Sequence, residues 1–229
     1  MSPHHLLPVL APYQTFLVDM DDTLFDEHDF VRSGFRAVAA HLGGWGIDPE
    51  AAWRILHHRF ETEGRERILN HLLAELTGDA PPERIQELVH VYREHHPHLE
   101  MYPGAEETLA ALRAQGRVWV VTDGLAAVQQ RKFAALELDQ QVDRVIFCDE
   151  LGCPKPDPGA LRDLVEPGAR DIVFIGDRPD HDLALAANLG IDSIRVHTGR
   201  FRDLPNTPWQ PVADLPAFAD LLDWDSGHH

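Results

Sequence analysis

The chain has 229 residues, 44% of them hydrophobic, which is enough for one large domain or for a domain with a sizeable insertion. It carries 20 basic against 38 acidic residues, a net charge of −18 that disfavours nucleic acid and anionic membranes as partners. No apolar run approaches the ~18–20 residues of a membrane span.

The N-terminal stretch MSPHHLLPVLAPYQ has no basic residue and is broken by Pro8 and Pro12, so it makes a poor secretory signal and a cytoplasmic location is expected. Residues 16–18 form a short apolar run that reads as a strand and runs straight into Asp19 of DMDDT. From 26 to 101 no strand pattern is present. Four helical patterns fill this segment, at about 28–42, 49–61, 65–76 and 82–95, with glycine and proline in the breaks. A further helix at 103–115 carries Leu109 and Leu112 and stops at Gly116. Next come a strand at 118–121, which enters Thr122 and Asp123, and a helix at 125–136. A strand at 145–147 precedes the proline-rich CPKPDP, which holds Lys155. A strand at 172–175 enters Gly176 and Asp177, a helix at 182–189 closes at Gly190, a strand follows at 194–196, and a last helix is predicted at 215–222. Strands alternating with helices predict an α/β core with a parallel sheet, in which ligands bind beyond the carboxyl ends of the strands.

Three carboxylates, Asp19, Asp21 and Asp22, fall within four positions. Like charges that close repel and need a compensating positive charge. Only two residues are lysines, Lys132 and Lys155, so arginine is the default cation of this chain. A compact ammonium at Lys155 can sit between a carboxylate and an anion where a planar fork does not fit.

Taken in order, DMDDT, VVTDG, CPKPDP and IGDRPDHD lie at strand ends, with a helical insertion after the first. The arrangement resembles the haloacid dehalogenase superfamily, in particular its phosphatases with a helical cap between the first two motifs, and the likeness runs from Phe16 to about Leu222. It implies a Rossmann-like parallel-sheet core at 1–25 and 102–229 and an inserted all-helical cap domain at 26–101. In the resemblance Asp19 is the nucleophile and Asp21 the general acid and then the general base. The family's dehalogenases lack an acid at that second position, because a halide leaves without a proton. Thr122, the backbone N–H of Asp123 and Lys155 would bind phosphate. Mg²⁺ would be held by Asp19, the backbone carbonyl of Asp21 and Asp177, with Asp182 a further candidate ligand that in the resemblance more often supports the site from behind. Asp123 stands where the family commonly has Asn, which adds a negative charge beside an anion site. Thr23 would steady the loop, and Asp22 reads as a turn or cap residue.

The implied function is a Mg²⁺-dependent phosphatase acting through an aspartyl-phosphate on a small phosphorylated metabolite of the sugar phosphate, nucleoside monophosphate or phosphoglycolate type, as a monomer or homodimer. A phosphotransferase or mutase on the same scaffold, a dehalogenase, and a phospho-accepting signalling module are the alternatives. Other features carry less. None of the fifteen histidines forms HExxH, and Cys148 and Cys153 fit neither CxxC nor a zinc ribbon. GGWGIDPE lies within the helical segment and is no dinucleotide fingerprint. Most of Phe30, Phe35, Trp45, Trp53, Phe60 and Tyr92 are expected in the core of that segment, with one or two facing the substrate, and Arg32, Arg36, Arg65 and Arg67 are candidate substrate contacts that read more simply as exposed helix-face residues.

Overall fold

The computed structural model describes residues 5–223. The chain divides into two compact units. One contains the chain up to Glu27 and from Leu99 onward, and the other is His28–His98.

The first unit is built on strands. β1 (His5–Leu6) pairs antiparallel with β8 (Leu222–Asp223) as a separate ribbon. The other six, β2 (Thr15–Val18), β3 (Arg117–Thr122), β4 (Arg144–Phe147), β5 (Ile172–Gly176), β6 (Asp192–Val196) and β7 (Ala213–Leu215), make one parallel sheet in the order β4-β3-β2-β5-β6-β7. The chain steps outward from β2 through β3 and β4, then restarts on the other side at β5. Strand order therefore reverses at the β2–β5 boundary, where a crevice opens beyond the carboxyl ends. Phe16, Leu17, Val18, Val120, Val121, Phe174 and Ile175 are fully buried, which is why these strands read as continuous apolar runs. On one face Leu17, Val121 and Phe174 pack with Leu161, Val165, Leu185 and Leu189. Each such side chain contributes roughly 1.5–3 kcal/mol on burial.

The five strands expected from the apolar runs are all present. β7 has no apolar run, because it is a three-residue edge strand with its middle residue exposed. The helix predicted at 215–222 is not formed. Leu215 ends β7, a 3₁₀ turn spans Phe218–Leu221, and the chain then enters β8. Leu215, Phe218 and Leu221 mimic helical spacing, but Pro216 supplies no backbone donor. The helix predicted at 182–189 starts differently as well. A π-turn at Pro179–Leu183 precedes the α-helical Ala184–Leu189.

The second unit is helical, with α1 (Glu27–Gly43) entering it and α2 (Pro49–Glu63), α3 (Ile68–Thr77) and α4 (Pro82–Glu94) following. α2 starts sharply because the Asp48 carboxylate accepts the Glu50 N–H at 3.0 Å and Pro49 takes the first helical position. α3 begins later than its sequence pattern, since Gly64 and Arg67 adopt left-handed φ values of 80° and 50°. Phe35, Val38, Leu42, Leu56, Leu72 and Leu88 form the core, while Trp45, Trp53, Phe60 and Tyr92 are only partly buried against it. α5 (Ala105–Gln115), α6 (Ala126–Ala135) and α7 (Ala184–Leu189) belong to the first unit. Among the described residues no helix is long and apolar enough to cross a membrane.

Candidate active site

Val18, at the end of β2, pairs with Val120 of β3 and Ile175 of β5. Asp19 continues the ladder by donating its N–H to the Ile175 carbonyl at 2.9 Å, so its carboxylate emerges at the carboxyl edge in mid-sheet. Thr122 ends β3, and Asp177 follows β5 directly. Three strand ends thus bring three of the sequence-predicted residues to the switch point.

Lys155 arrives from the loop after β4. Its Nζ donates to Asp19 Oδ1 at 2.5 Å, to Asp182 Oδ1 at 2.7 Å and to the Val121 carbonyl at 3.4 Å. The other oxygen of Asp182 accepts the Arg178 N–H at 2.9 Å, and the Asp182 N–H returns to the Arg178 carbonyl at 2.7 Å. This turn lies so close to the strand end that a Cβ on Gly176 would overlap the Asp182 carboxylate. A glycine is therefore required before Asp177.

Ligand-capable oxygens of Asp19, Asp177 and Asp182 lie within 4.8 Å of one another, and all three residues are buried. Burial pushes the Asp19 carboxyl up to about 8, with Lys155 opposing and Asp182 adding to the rise. Burial, reinforced by the charges of Asp182 and Asp19, pushes Asp177 up to about 10. Burial works against the charge on Lys155, but Asp182, Asp19 and Asp123 hold its ammonium well above the usual lysine range. One ammonium does not balance three carboxylates. Asp177 Oδ2 is buried and has no hydrogen-bond partner among the described residues. An orphaned carboxylate oxygen in an all-oxygen cluster fits a hard divalent cation.

Asp21 turns to a different set of partners. Lys132 Nζ donates to its Oδ1 at 2.7 Å and Gln129 Nε2 to its Oδ2 at 2.6 Å. The same Gln129 nitrogen lies 2.6 Å from Thr122 Oγ1. Thr23 Oγ1 donates to Asp19 Oδ2 at 3.3 Å. Asp22 sits at a left-handed φ of 57°, and its Oδ1 accepts the Glu27 N–H at 3.1 Å, which is the turn and cap role read from the sequence. Asp123 accepts the Lys155 N–H on both oxygens, at 3.0 and 3.1 Å, and lies 3.3 Å from His181 Nδ1. Burial alone would raise its pKa. The His181 hydrogen bond, the charge of Lys155 and the Lys155 N–H outweigh that and hold it below the usual carboxylate range. The side chain of Asp123 thus anchors the loop that carries Lys155.

Lys132 and Gln129, both on α6 and both buried, were not among the residues expected at the site. Gln129 has no sequence signal of its own. Lys132 had one, the scarcity of lysine that singled out Lys155.

A family model of haloacid dehalogenase-like hydrolases matches residues 13–190, a span that holds every side chain of this cluster. A glyceraldehyde 3-phosphate phosphatase from Methanocaldococcus jannaschii is 30% identical over 218 residues, covering 90% of this chain and 94% of that protein. A phosphoserine phosphatase from Thermus thermophilus is 28% identical over 188 residues, covering 80% and 72%. The solved structure of a 2-haloacid dehalogenase from Pseudomonas syringae pv. Tomato superposes with a TM-score of 0.59 at 22% identity, over 91% of this chain and 96% of that one. Proteins named for phosphatase and for dehalogenase chemistry therefore match one fold, and the side chains decide between the reactions. The family itself follows from a match that runs from β2 to α7 and from a relative similar over nearly its whole length: the chain belongs to the haloacid dehalogenase-like hydrolases.

Proposed function

We propose that the protein is a Mg²⁺-dependent phosphatase that hydrolyses a small phosphate monoester through an aspartyl-phosphate. The observation that carries this reading is the buried group Asp19, Asp177 and Asp182 around Lys155, with the Asp21 carboxylate held apart from it. The phosphatase names of the relatives support it.

In the first step an Asp19 oxygen attacks phosphorus. An O–P bond forms to Asp19, the bond from phosphorus to the ester oxygen breaks, and the Asp21 carboxyl gives its proton to the departing alkoxide. In the second step Asp21 takes a proton from water as the water oxygen bonds to phosphorus. The Asp19–phosphorus linkage breaks, and inorganic phosphate leaves with the Asp19 carboxylate restored. Lys155 and the Thr122 hydroxyl bind the phosphoryl oxygens throughout. Asp177, Asp19 and the backbone carbonyl of Asp21 would hold Mg²⁺, which supplies positive charge against the carboxylates and the phosphoryl group. We assign Asp182 to holding Lys155, because both its oxygens are already engaged. A halide needs no proton to leave, so the Asp21 carboxylate favours phosphoryl transfer over dehalogenation. We assign the helical unit the cap role of selecting the leaving group. Glyceraldehyde 3-phosphate, phosphoserine and phosphoglycolate are the first substrates to try, since relatives carry those names.

The test is phosphate release from these esters with Mg²⁺ and with EDTA, followed by intact-mass analysis of rapidly quenched variants. Asp21→Asn should accumulate one covalent phosphoryl group, and Asp19→Asn none. Turnover that survives exhaustive chelation, or a phosphoenzyme on Asp19→Asn, overturns the reading.

A further inference from the structure

Asp21 is gripped from one helix. Gln129 and Lys132 stand three residues apart on α6, so they share a face of that helix. Each takes a different oxygen of the same carboxylate, Lys132 Nζ on Oδ1 at 2.7 Å and Gln129 Nε2 on Oδ2 at 2.6 Å. A carboxylate held at one oxygen still rotates broadly about its last torsion, whereas one held at both does not. Gln129 Nε2 has two hydrogens. With one on Asp21 Oδ2, the other points to Thr122 Oγ1 at 2.6 Å. The Thr122 hydroxyl oxygen then accepts, and its own hydrogen is left to be donated elsewhere.

A buried ion pair that merely staples α6 to the β2 loop would look partly like this. Burying a lysine and a glutamine is nevertheless costly, and an apolar contact of similar volume often stabilises as well. Lys132 also lies 3.8 Å from Glu27 Oε1, so its charge faces two carboxylates. Its side chain is 3% exposed while that of Asp21 is 19% exposed. The grip is inside and the gripped carboxylate reaches the surface of the site.

We infer that Lys132 and Gln129 are positioning residues. Together they fix the direction in which Asp21 presents its proton-carrying oxygens, and Gln129 in addition directs the Thr122 hydroxyl. The inference rests on the role of Asp21 proposed above. Each carboxylate oxygen has a second lone pair, so Asp21 can carry a proton while both contacts persist.

The test is a double-mutant cycle of Lys132→Met with Asp21→Asn. It is read on p-nitrophenyl phosphate and on whichever of glyceraldehyde 3-phosphate, phosphoserine and phosphoglycolate the wild type turns over fastest. Lys132→Met should lower the rate of the first step on the alkyl ester, read by rapid quench apart from the later hydrolysis of the aspartyl-phosphate, at least about tenfold, with half-saturation within about threefold of wild type. It should slow the release of p-nitrophenolate less, because that anion leaves without help. In the Asp21→Asn background the same change should cost less than about twofold, since there is no longer a proton carrier to direct. Gln129→Leu should show the same difference between alkyl and aryl esters, on top of a loss through Thr122 that is common to both esters and persists in the Asp21→Asn background, and that difference carries the test if circular dichroism shows that Lys132→Met does not fold. Equal slowing of the first step on aryl and alkyl esters, or an undiminished effect of Lys132→Met in the Asp21→Asn background, overturns the inference and leaves Lys132 as a structural staple. If the first step of Asp21→Asn shows no dependence on the leaving group, the acid–base reading of Asp21 fails first and the inference falls with it.

Discussion

Lys155 Nζ lies 2.5 Å from Asp19 Oδ1, and the two residues are 136 positions apart in the chain. The side chain of Lys155 is 4% exposed, and Asp182 and the Val121 carbonyl occupy its other directions. A point-like ammonium fits between three oxygens. A planar guanidinium of greater width does not, although it keeps the charge. Lys155→Arg should therefore lower kcat/KM at least tenfold, about 1.4 kcal/mol of transition-state stabilisation. Steady-state kinetics on the best substrate decide this, and a wild-type rate would remove Lys155 from the site.

Asp123 gives a sharper contrast between two substitutions. Its oxygens accept the Lys155 N–H, and Asn retains one acceptor at that position. Asp123→Asn should keep kcat/KM within about threefold of wild type. Asp123→Ala leaves the Lys155 N–H without this partner, a loss of about 1–3 kcal/mol in stability, and frees the loop that places Nζ. Because the pKa of Asp123 is depressed, its charge stabilises the fold above the unfolded value of 3.8, and that contribution is lost as pH falls through the folded value. Thermal melts of Asp123→Ala and wild type should accordingly differ most near neutrality and converge in acid. An Asn variant as slow as the Ala variant would show that the charge itself is needed.

Gly176 tests how closely the β5 end must approach the turn behind it. A Cβ there would meet the Asp182 carboxylate, which holds Lys155. Gly176→Ala should cost about 1–3 kcal/mol through overpacking, seen as a lower Tm, and kcat should fall with it. Unchanged stability and rate would mean that the Asp182 turn relaxes freely.

The sheet and the carboxylate cluster were legible in the sequence for a common reason. Central parallel strands are buried on both faces, so 16–18, 118–121 and 172–175 stand out as apolar runs, and they hand over to Asp19, to Thr122 and, across Gly176, to Asp177. β7 was illegible because an edge strand of three residues, the middle one exposed and its neighbours half-buried, has no such contrast. The segment at 215–222 misled because the spacing of its apolar residues fits a helix as well as the observed turn. At the site, DMDDT announced three carboxylates but not their orientations. Asp19 faces Lys155, Asp21 faces Lys132, and Asp22 caps the entry to α1. The first two directions depend on residues more than 100 positions away, and neither spacing nor composition encodes them. The two lysines came closest to doing so. Both are buried against aspartates of the first loop, and scarcity singles out Lys132 as well as Lys155.

Burial raises Asp19 to about 8 and Asp177 to about 10, against an unfolded value of 3.8. Between those values the folded chain retains protons that the unfolded chain has released. The corresponding stability is fully present below 3.8 and is lost as pH rises toward the folded values. Lys155 does not reverse this, because its pKa is raised from 10.5 and its contribution is constant across the window. A divalent cation binding this cluster displaces the retained protons, so its affinity should rise with pH. The increase in Tm produced by Mg²⁺ over EDTA should therefore be larger at about pH 8 than at about pH 5.5, and the EDTA-treated protein should melt lower at the higher pH. Calorimetry at both pH values decides it. A Mg²⁺ effect that is equal at the two, or absent from Asp177→Asn and wild type alike, would mean that these carboxylates do not hold the ion.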